Sequence, residues 1–397
     1  MRPLRLFSLI LLLSLTSLAA LARESRVTAP DGVALAVQEQ GDPRGVPIIF
    51  IHGLLGSRLN WQAQLASPEL SRFRLITYDL RGHGLSGKPV GAAPYREGRR
   101  WADDLAAVIA ATGAHRPVLV GWSLGATVIS NYLARHGDAD IAGVVYVDGV
   151  IELASAQIVP HPEVYRDLVS PDLRTHLEAI RTFLVLCSAT PPAPELFQQL
   201  YATAAMASWD MQRAVQQQDV AAAKGLGRMR VPLWLLYGEQ DALVRPAASI
   251  ARAQALNPRL TATRYAASGH APFLEEAPRF NRDLAAFVDR LERPSHDRLP
   301  RFHPAQPGHG LGRLSGRDRR PGPDGPAAAR LSPDPPGLAL HRAGVGPALS
   351  GRDARPAGLR CQPPPRPPLA LDQTARGGGP GGVDGGTRSA ALRGGRS

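Results

Sequence analysis

Apolar residues along this chain follow two rhythms. Short, nearly unbroken apolar runs alternate with stretches in which apolar residues recur every three or four positions. The runs at 34–38, 47–51, 74–78, 118–121, 143–147, 233–237 and 261–265 predict strands, several of them continuous enough to be covered on both faces. Between them Trp101, Leu105, Val108 and Thr112 fall on one helical face, as do Phe280, Leu284, Phe287, Val288 and Leu291. Such alternation predicts an α/β domain, a mostly parallel sheet with helices on both faces.

One segment departs from that rhythm. Residues 148–230 contain no convincing strand; Leu173, Leu177, Ile180 and Leu184 mark an amphipathic helix, and the Gln/Ala-rich stretch 195–224 reads as helical too. Pro191, Pro192 and Pro194 separate the two. The segment, about 151–230, is expected to form a helical lid over the end of the sheet. Met206, Trp209 and Met211 either line an apolar cavity beneath it or knit the lid to itself.

The termini differ from this periodic region, which spans 23–294. Arg2 and Arg5 precede the apolar stretch 6–18, and Ala20-Leu21-Ala22 supplies small residues for cleavage. Residues 1–22 therefore read as an export signal, and the mature chain is expected in the periplasm or secreted. The stretch is short for a bilayer span, so no stable membrane span is expected in the mature chain; retention as an uncleaved anchor is the alternative. From 296 to 397 there are 17 Pro, 20 Gly, 16 Arg and 7 Asp, and no Ile, Met, Trp, Tyr, Lys, Glu or Asn. A segment so poor in apolar surface cannot offset its ordering entropy, so 295–397 is expected to be a disordered Pro/Gly/Arg-rich tail. Nearly all its residues have GC-rich codons, the signature of an out-of-frame translation, which the mass of the mature protein would test.

The tail holds +9 of the formal +12 charge, 16 Arg against 7 Asp, so the basic balance says little about the partners of the folded domain. Its Arg-Gly-Gly stretch at 376–378 fits RNA binding, but the export signal argues for no nucleic-acid partner. Of the two cysteines, Cys187 lies in the domain and Cys361 in the tail, which leaves no internal disulfide framework. Cys187, after Leu184-Val185-Leu186, reads as a small buried hydrophobe. No His/Cys cluster has metal spacing, and no metal or cofactor is expected.

The chemistry concentrates behind the predicted strands. Gly121-Trp122-Ser123-Leu124-Gly125 joins the run Val118–Val120 to a helical stretch, the strand–turn–helix setting of a nucleophile elbow. After 47–51 comes His52-Gly53-Leu54-Leu55-Gly56; after 74–78, Asp79-Leu80-Arg81-Gly82-His83-Gly84; after 233–237, Gly238-Glu239-Gln240-Asp241; after 261–265, Ser268-Gly269-His270. Each lies just past the C-terminal end of a strand, where open α/β sheets place their sites.

Together these motifs resemble the α/β-hydrolase superfamily over residues 24–292. Trp101-Ala102-Asp103-Asp104-Leu105 and the stretch 132–137 are similar to its haloperoxidase/arylesterase branch. The resemblance implies a catalytic triad of Ser123, Asp241 and His270, in the superfamily's chain order, and an oxyanion hole made by the backbone N–H groups of Leu54 and Leu124. His270 would act as base toward Ser123, and Asp241 would orient its ring. Asp148, which also follows an apolar run, and Glu239 compete for the acid's place. His52 and His83 are expected to brace loops, and Asp79 and Arg81 to pair with each other beside the site.

The activity implied is hydrolysis of small to medium carboxylic esters through an acyl-enzyme, without a cofactor. Dehalogenases and epoxide hydrolases of this fold attack with a carboxylate, which a serine cannot replace. Perhydrolysis of the haloperoxidase type, lactone hydrolysis and carbon–carbon bond hydrolysis are the catalytic alternatives. A non-catalytic small-ligand binding protein on the same fold is the alternative of another class.

Overall fold

Eight strands form one sheet in the computed structural model, which describes residues 22–292. The stretches expected to be an export signal (Ala22 apart) and a tail lie outside the described residues. The strands are β1 (Arg23–Thr28), β2 (Ala34–Gly41), β3 (Pro47–Ile51), β4 (Arg74–Tyr78), β5 (Val118–Trp122), β6 (Gly143–Val147), β7 (Leu233–Gly238) and β8 (Thr261–Tyr265). They lie in the order β1-β2-β4-β3-β5-β6-β7-β8. β1 and β2 are antiparallel additions at one edge; from β4 onward every pairing is parallel.

β1 is the strand that the apolar rhythm does not announce. Its sequence is Arg-Glu-Ser-Arg-Val-Thr, and only Val27 is buried, as befits an edge strand that needs partners on one side alone. By contrast every residue of β5, β6 and β7 is buried. That explains why these central strands read as continuous apolar runs.

The longer helices are α1 (Gly98–Thr112), α2 (Leu124–His136), α3 (Leu173–Leu186), α4 (Pro194–Ala205), α5 (Pro246–Leu256) and α6 (Ala277–Glu292). They cover both faces of the sheet. Tyr146 of β6 meets Ser130 of α2, hydroxyl to hydroxyl at 2.8 Å, while Gly143, three positions earlier and therefore on the other face, abuts Phe287 and Leu291 of α6. Trp101, Leu105 and Val108 are buried on α1, and Phe280, Leu284, Phe287 and Val288 on α6, along the predicted stripes.

Residues 151–230 contain helices and turns and no strand, as the broken rhythm predicts. The first turn of α3 differs from expectation, since Leu173 is exposed whereas Ile180 and Leu184 are buried. Among the described residues no helix is long and apolar enough to cross a membrane.

Register places the site. Gly121 of β5 pairs with Tyr146 of β6, Val147 with Leu236 of β7, and Gly238 with Tyr265 of β8. Four neighbouring strands thus end in one row, and the loops carrying positions 123, 148, 241 and 270 leave the sheet side by side.

Candidate active site

Ser123 occupies the tip of the turn between β5 and α2 with φ 52° and ψ −114°. A capping serine would have extended backbone and accept from an N–H two or three residues on. Ser123 does neither, since its side chain makes no cap hydrogen bond. A left-handed conformation at a non-glycine residue costs about 1–3 kcal/mol and persists only where its surroundings enforce it. Here the Ser123 N–H donates to the Val147 carbonyl at 3.0 Å, and the Ser123 carbonyl accepts from Val150 at 3.1 Å. Glycines on either side make the turn possible. A Cβ on Gly125 would collide with the Ile51 carbonyl oxygen, and one on Gly121 would come within 2.7 Å of the Gly125 backbone.

The serine opens onto a cavity of about 200 Å3 bordered by Leu54, Leu124, Val150, Leu153, Ile158, Tyr165, Phe183, Val215, Leu243 and Val244, with Ser155 and Gln216 among its few polar neighbours. Leu54 and Leu124 border the same space as the serine, and the N–H of Leu124, first residue of α2, is one that helix geometry leaves without an intrahelical acceptor. Met206, Trp209 and Met211 do not border it. Met206 is exposed, Met211 is buried against Gly82, and the Trp209 indole donates to His176 Nε2 at 2.7 Å. The lid side chains that reach the cavity come instead from the segment after β6, from α3 and from the turn at Val215 and Gln216. A second cavity of about 220 Å3 lies against Trp122, Cys187, Leu196, Phe197, Ala271 and Glu275. Burial pushes the Cys187 thiol well above the usual thiol range, in keeping with a small hydrophobe.

His270 and Asp241 are brought together. The imidazole Nδ1 lies 2.7 Å from Asp241 Oδ2, and both side chains are almost wholly buried. Asp241 Oδ1 accepts from the Leu243 and Val244 N–H groups at 2.7 and 2.9 Å. Asp241 thus accepts from two main-chain N–H groups as well as from the imidazole. With Nδ1–H donating to Asp241, the other ring nitrogen is left as an acceptor.

Trp122 is a contributor that motif reading overlooked. Its indole N–H donates to the His270 carbonyl at 2.7 Å, its ring centroid lies 5.8 Å from the imidazole, and it packs on Phe273 at 5.1 Å. The residue beside Ser123 thereby fastens the loop that carries His270. A buried indole must find one acceptor, which is the signal the sequence offered.

Asp241, and neither competing acid, is the carboxylate hydrogen-bonded to His270. Glu239 is exposed. Asp148 is fully buried at φ 43°, and its Oδ1 accepts from the Gly238 N–H at 2.8 Å. Among the described residues Asp148 makes no hydrogen bond to His270. Even so, Asp148, Asp241 and His270 present ligand-type atoms within 4.8 Å of one another. Tetrahedral zinc with bonds of about 2.0–2.1 Å keeps its ligands roughly 3.3 Å apart. The 2.7 Å between Asp241 and His270 is a hydrogen-bond distance, so this pair is not arranged around such an ion.

His52 and His83 brace loops. His52 Nε2 accepts from the Leu80 N–H at 2.9 Å, and its Nδ1 donates to the Gly53 carbonyl at 2.8 Å. His83 Nε2 accepts from Leu55, a residue at φ 58°, and its Nδ1 donates to the Arg81 carbonyl. Burial lowers both imidazoles, His52 to about 4 and His83 to about 3, so both are neutral near pH 7. The expected pairing of Asp79 with Arg81 is corrected. Asp79 takes Arg58 through both its backbone N–H and its guanidinium, at 2.7 and 3.0 Å, and Arg81 points the other way into Asp104 and Asp31. Both are structural pairs, with partners far away in sequence.

Comparison with known proteins agrees with this architecture. Residues 46–277 match the family model described as the alpha/beta hydrolase fold. The chain is 28% identical over 278 residues to a non-heme haloperoxidase of Rhodococcus erythropolis, an alignment covering 66% of this chain and 98% of that protein. It is 29% identical to a bifunctional esterase/perhydrolase of Acinetobacter calcoaceticus, with the same coverage of both. Among solved structures, a chain described as a "putative aryl esterase" from Burkholderia cenocepacia is 66% identical, covering 68% of this chain and 99% of its own, with a TM-score of 0.67. An esterase from Rhodococcus sp. ECU1013 is 28% identical with a TM-score of 0.61, covering 68% of this chain and 99% of its own. By sequence match and by architecture, this chain belongs to the α/β-hydrolase family.

Proposed function

We propose that the chain is a serine hydrolase that cleaves small to medium, uncharged or weakly charged carboxylic esters through an acyl-enzyme. One observation carries the reading: a serine in a strained turn borders an apolar cavity, and its neighbour Trp122 ties it to a loop bearing an imidazole already paired with a carboxylate. Similarity to proteins named as esterases supports the same class.

In this reading Ser123 Oγ attacks the ester carbonyl carbon while its proton passes to His270 Nε2. The carbonyl oxygen, now negatively charged, is stabilised by the N–H groups of Leu54 and Leu124. Collapse breaks the bond to the alcohol oxygen, which departs with the proton held by His270. Water then gives a proton to the same nitrogen, attacks the acyl carbon and releases the acid, returning the proton to Ser123. Asp241 keeps the Nδ1–H tautomer in place and stabilises the imidazolium of each half-reaction. The lining and the cavity volume, at the small end for ligand pockets, favour short apolar acyl groups.

Peroxide in place of water at the acyl-enzyme would give a peracid, a second reading motivated by the relative named for both activities. In the same proposal the mature enzyme is exported after residues 1–22 are removed.

A p-nitrophenyl ester series from acetate to palmitate tests the function. The expected result is highest kcat/KM among the short chains, abolished in Ser123→Ala. Absence of hydrolysis across the series, or activity that survives Ser123→Ala, would reject it. Peracid formation with acetate and peroxide separates the two readings.

A further inference from the structure

Asp148 is a buried acid for which the relay has no use. Its Oδ1 takes the Gly238 N–H, but its buried Oδ2 has no N–H or O–H donor. An acceptor buried without a donor is costly, and a charged one far more so. Within 4.8 Å lie atoms of Asp241 and His270. Two carboxylates in so small a buried site do not both ionise, and one retains a proton.

Which of the two retains it follows from the donors. Asp241 has two backbone N–H groups and the imidazole N–H; Asp148 has one backbone N–H. Every donor to a carboxylate favours its charged form. The proton therefore belongs on Asp148, at the oxygen without a donor. We propose that Asp148 is a positioning residue, a neutral carboxylic acid that donates its hydroxyl hydrogen to Asp241 and so fixes the carboxylate that orients His270. This rests on the esterase reading above for its consequence in catalysis, though not for the protonation itself.

The surroundings agree. Burial first, and then the charge of Asp241, push Asp148 well above the usual carboxylate range. The other titratable groups that bear on it are Glu275, from the turn after His270, and Tyr237 of β7. Glu275 adds negative charge, and the Tyr237 hydroxyl is spent on the Gly149 carbonyl at 2.6 Å. The backbone of the segment is braced as a positioning role requires. Asp148 N–H donates to Leu236 of β7 at 2.8 Å, and its neighbours Val147 and Val150 hold both backbone groups of Ser123. Residue 148 thus links the nucleophile turn to the start of the loop that carries Asp241. Throughout turnover His270 gains and loses a proton, while Asp148 keeps its own.

Asn is the neutral isostere of a protonated Asp and can both accept from Gly238 and donate to Asp241. Asp148→Ala should lower kcat by about 10- to 100-fold, the range for one buried hydrogen bond, with KM nearly unchanged. Its kcat/KM profile should have the acid limb moved to higher pH, because an Asp241 without its donor binds the imidazolium more strongly. Asp148→Asn should restore kcat to within about threefold of wild type and return the limb to its place. The infrared difference spectrum, wild type minus Asp148→Asn at pH 7, should show the C=O stretch of a protonated carboxylic acid.

A natively folded Asp148→Asn as impaired as Asp148→Ala, or a wild-type spectrum without that band, overturns the proposal. Should Asp148→Ala fail to fold, the Asn variant and the spectrum still decide. The band does not depend on turnover: its presence in a protein inactive on esters would leave Asp148 protonated and remove only the esterase reading.

Discussion

His270, after β8, and His52 and His83, after β3 and β4, are all buried imidazoles in loops at the C-terminal ends of strands, yet their partners differ in kind. His270 donates to a carboxylate that also accepts from two main-chain N–H groups. His52 and His83 bond only to main-chain groups, each donating to a carbonyl and accepting from an N–H. A ring with both nitrogens engaged by backbone has nothing to gain from a second proton and nowhere to pass one. One that leans on a carboxylate is stabilised when it becomes charged and keeps its second nitrogen as a base. Burial does not separate the proposed proton carrier from the staple. The partner does.

Breaking the His270 side of this contrast should produce the largest effects. Ser123→Ala or His270→Ala is expected to lower kcat on a short p-nitrophenyl ester by about a millionfold, read against the uncatalysed rate, with melting temperature little changed. Asp241→Asn keeps the shape but offers the wrong hydrogen-bonding partner. It should cost about four orders of magnitude in kcat, and near-normal turnover in that variant would remove Asp241 from the relay.

The staple side should show in stability instead. Both imidazoles are lowered in the folded state, so the unfolded chain binds more protons as pH falls below the free value near 6.5. Stability is therefore lost from about pH 6.5 down toward 4 for His52 and toward 3 for His83. By pH 4 the loss amounts to about 3 kcal/mol for each ring. Urea unfolding across that range measures it, and His83→Gln, which cannot titrate, should flatten the slope. An unchanged slope would contradict the neutral assignment.

The smallest effect sharpens the line between the two regions. Trp122→Phe removes the indole donor that fastens the His270 loop and should reduce kcat about tenfold while leaving the acid slope of stability intact.

Much of this was legible in the sequence because the central strands are buried on both faces and leave unbroken apolar runs. β1 was not, since an edge strand with Val27 alone buried carries no such pattern. The motifs after β3, β5, β7 and β8 marked the proposed site positions 54, 123, 124, 241 and 270, because a strand end followed by a glycine-bearing turn is a local feature. What depends on facing was not legible. The helical character of the lid could be read from its periodicity, but which lid side chains reach the cavity depends on how its helices are turned over the sheet. Met206, Trp209 and Met211 accordingly gave way to Leu153, Ile158, Tyr165 and Phe183. Nor could adjacency predict ion pairs: Asp79 and Arg81 stand two residues apart and point in different directions, each to a partner supplied by another element.

The central claim, that Ser123 is activated by the imidazole that Asp241 orients, is tested most directly by mapping a fluorophosphonate adduct with peptide mass spectrometry in wild type and in His270→Ala. The account predicts one phosphonyl group per chain on Ser123 in wild type, and essentially none over the same time in the variant. An adduct on another residue, or equal labelling of Ser123 without His270, would contradict it.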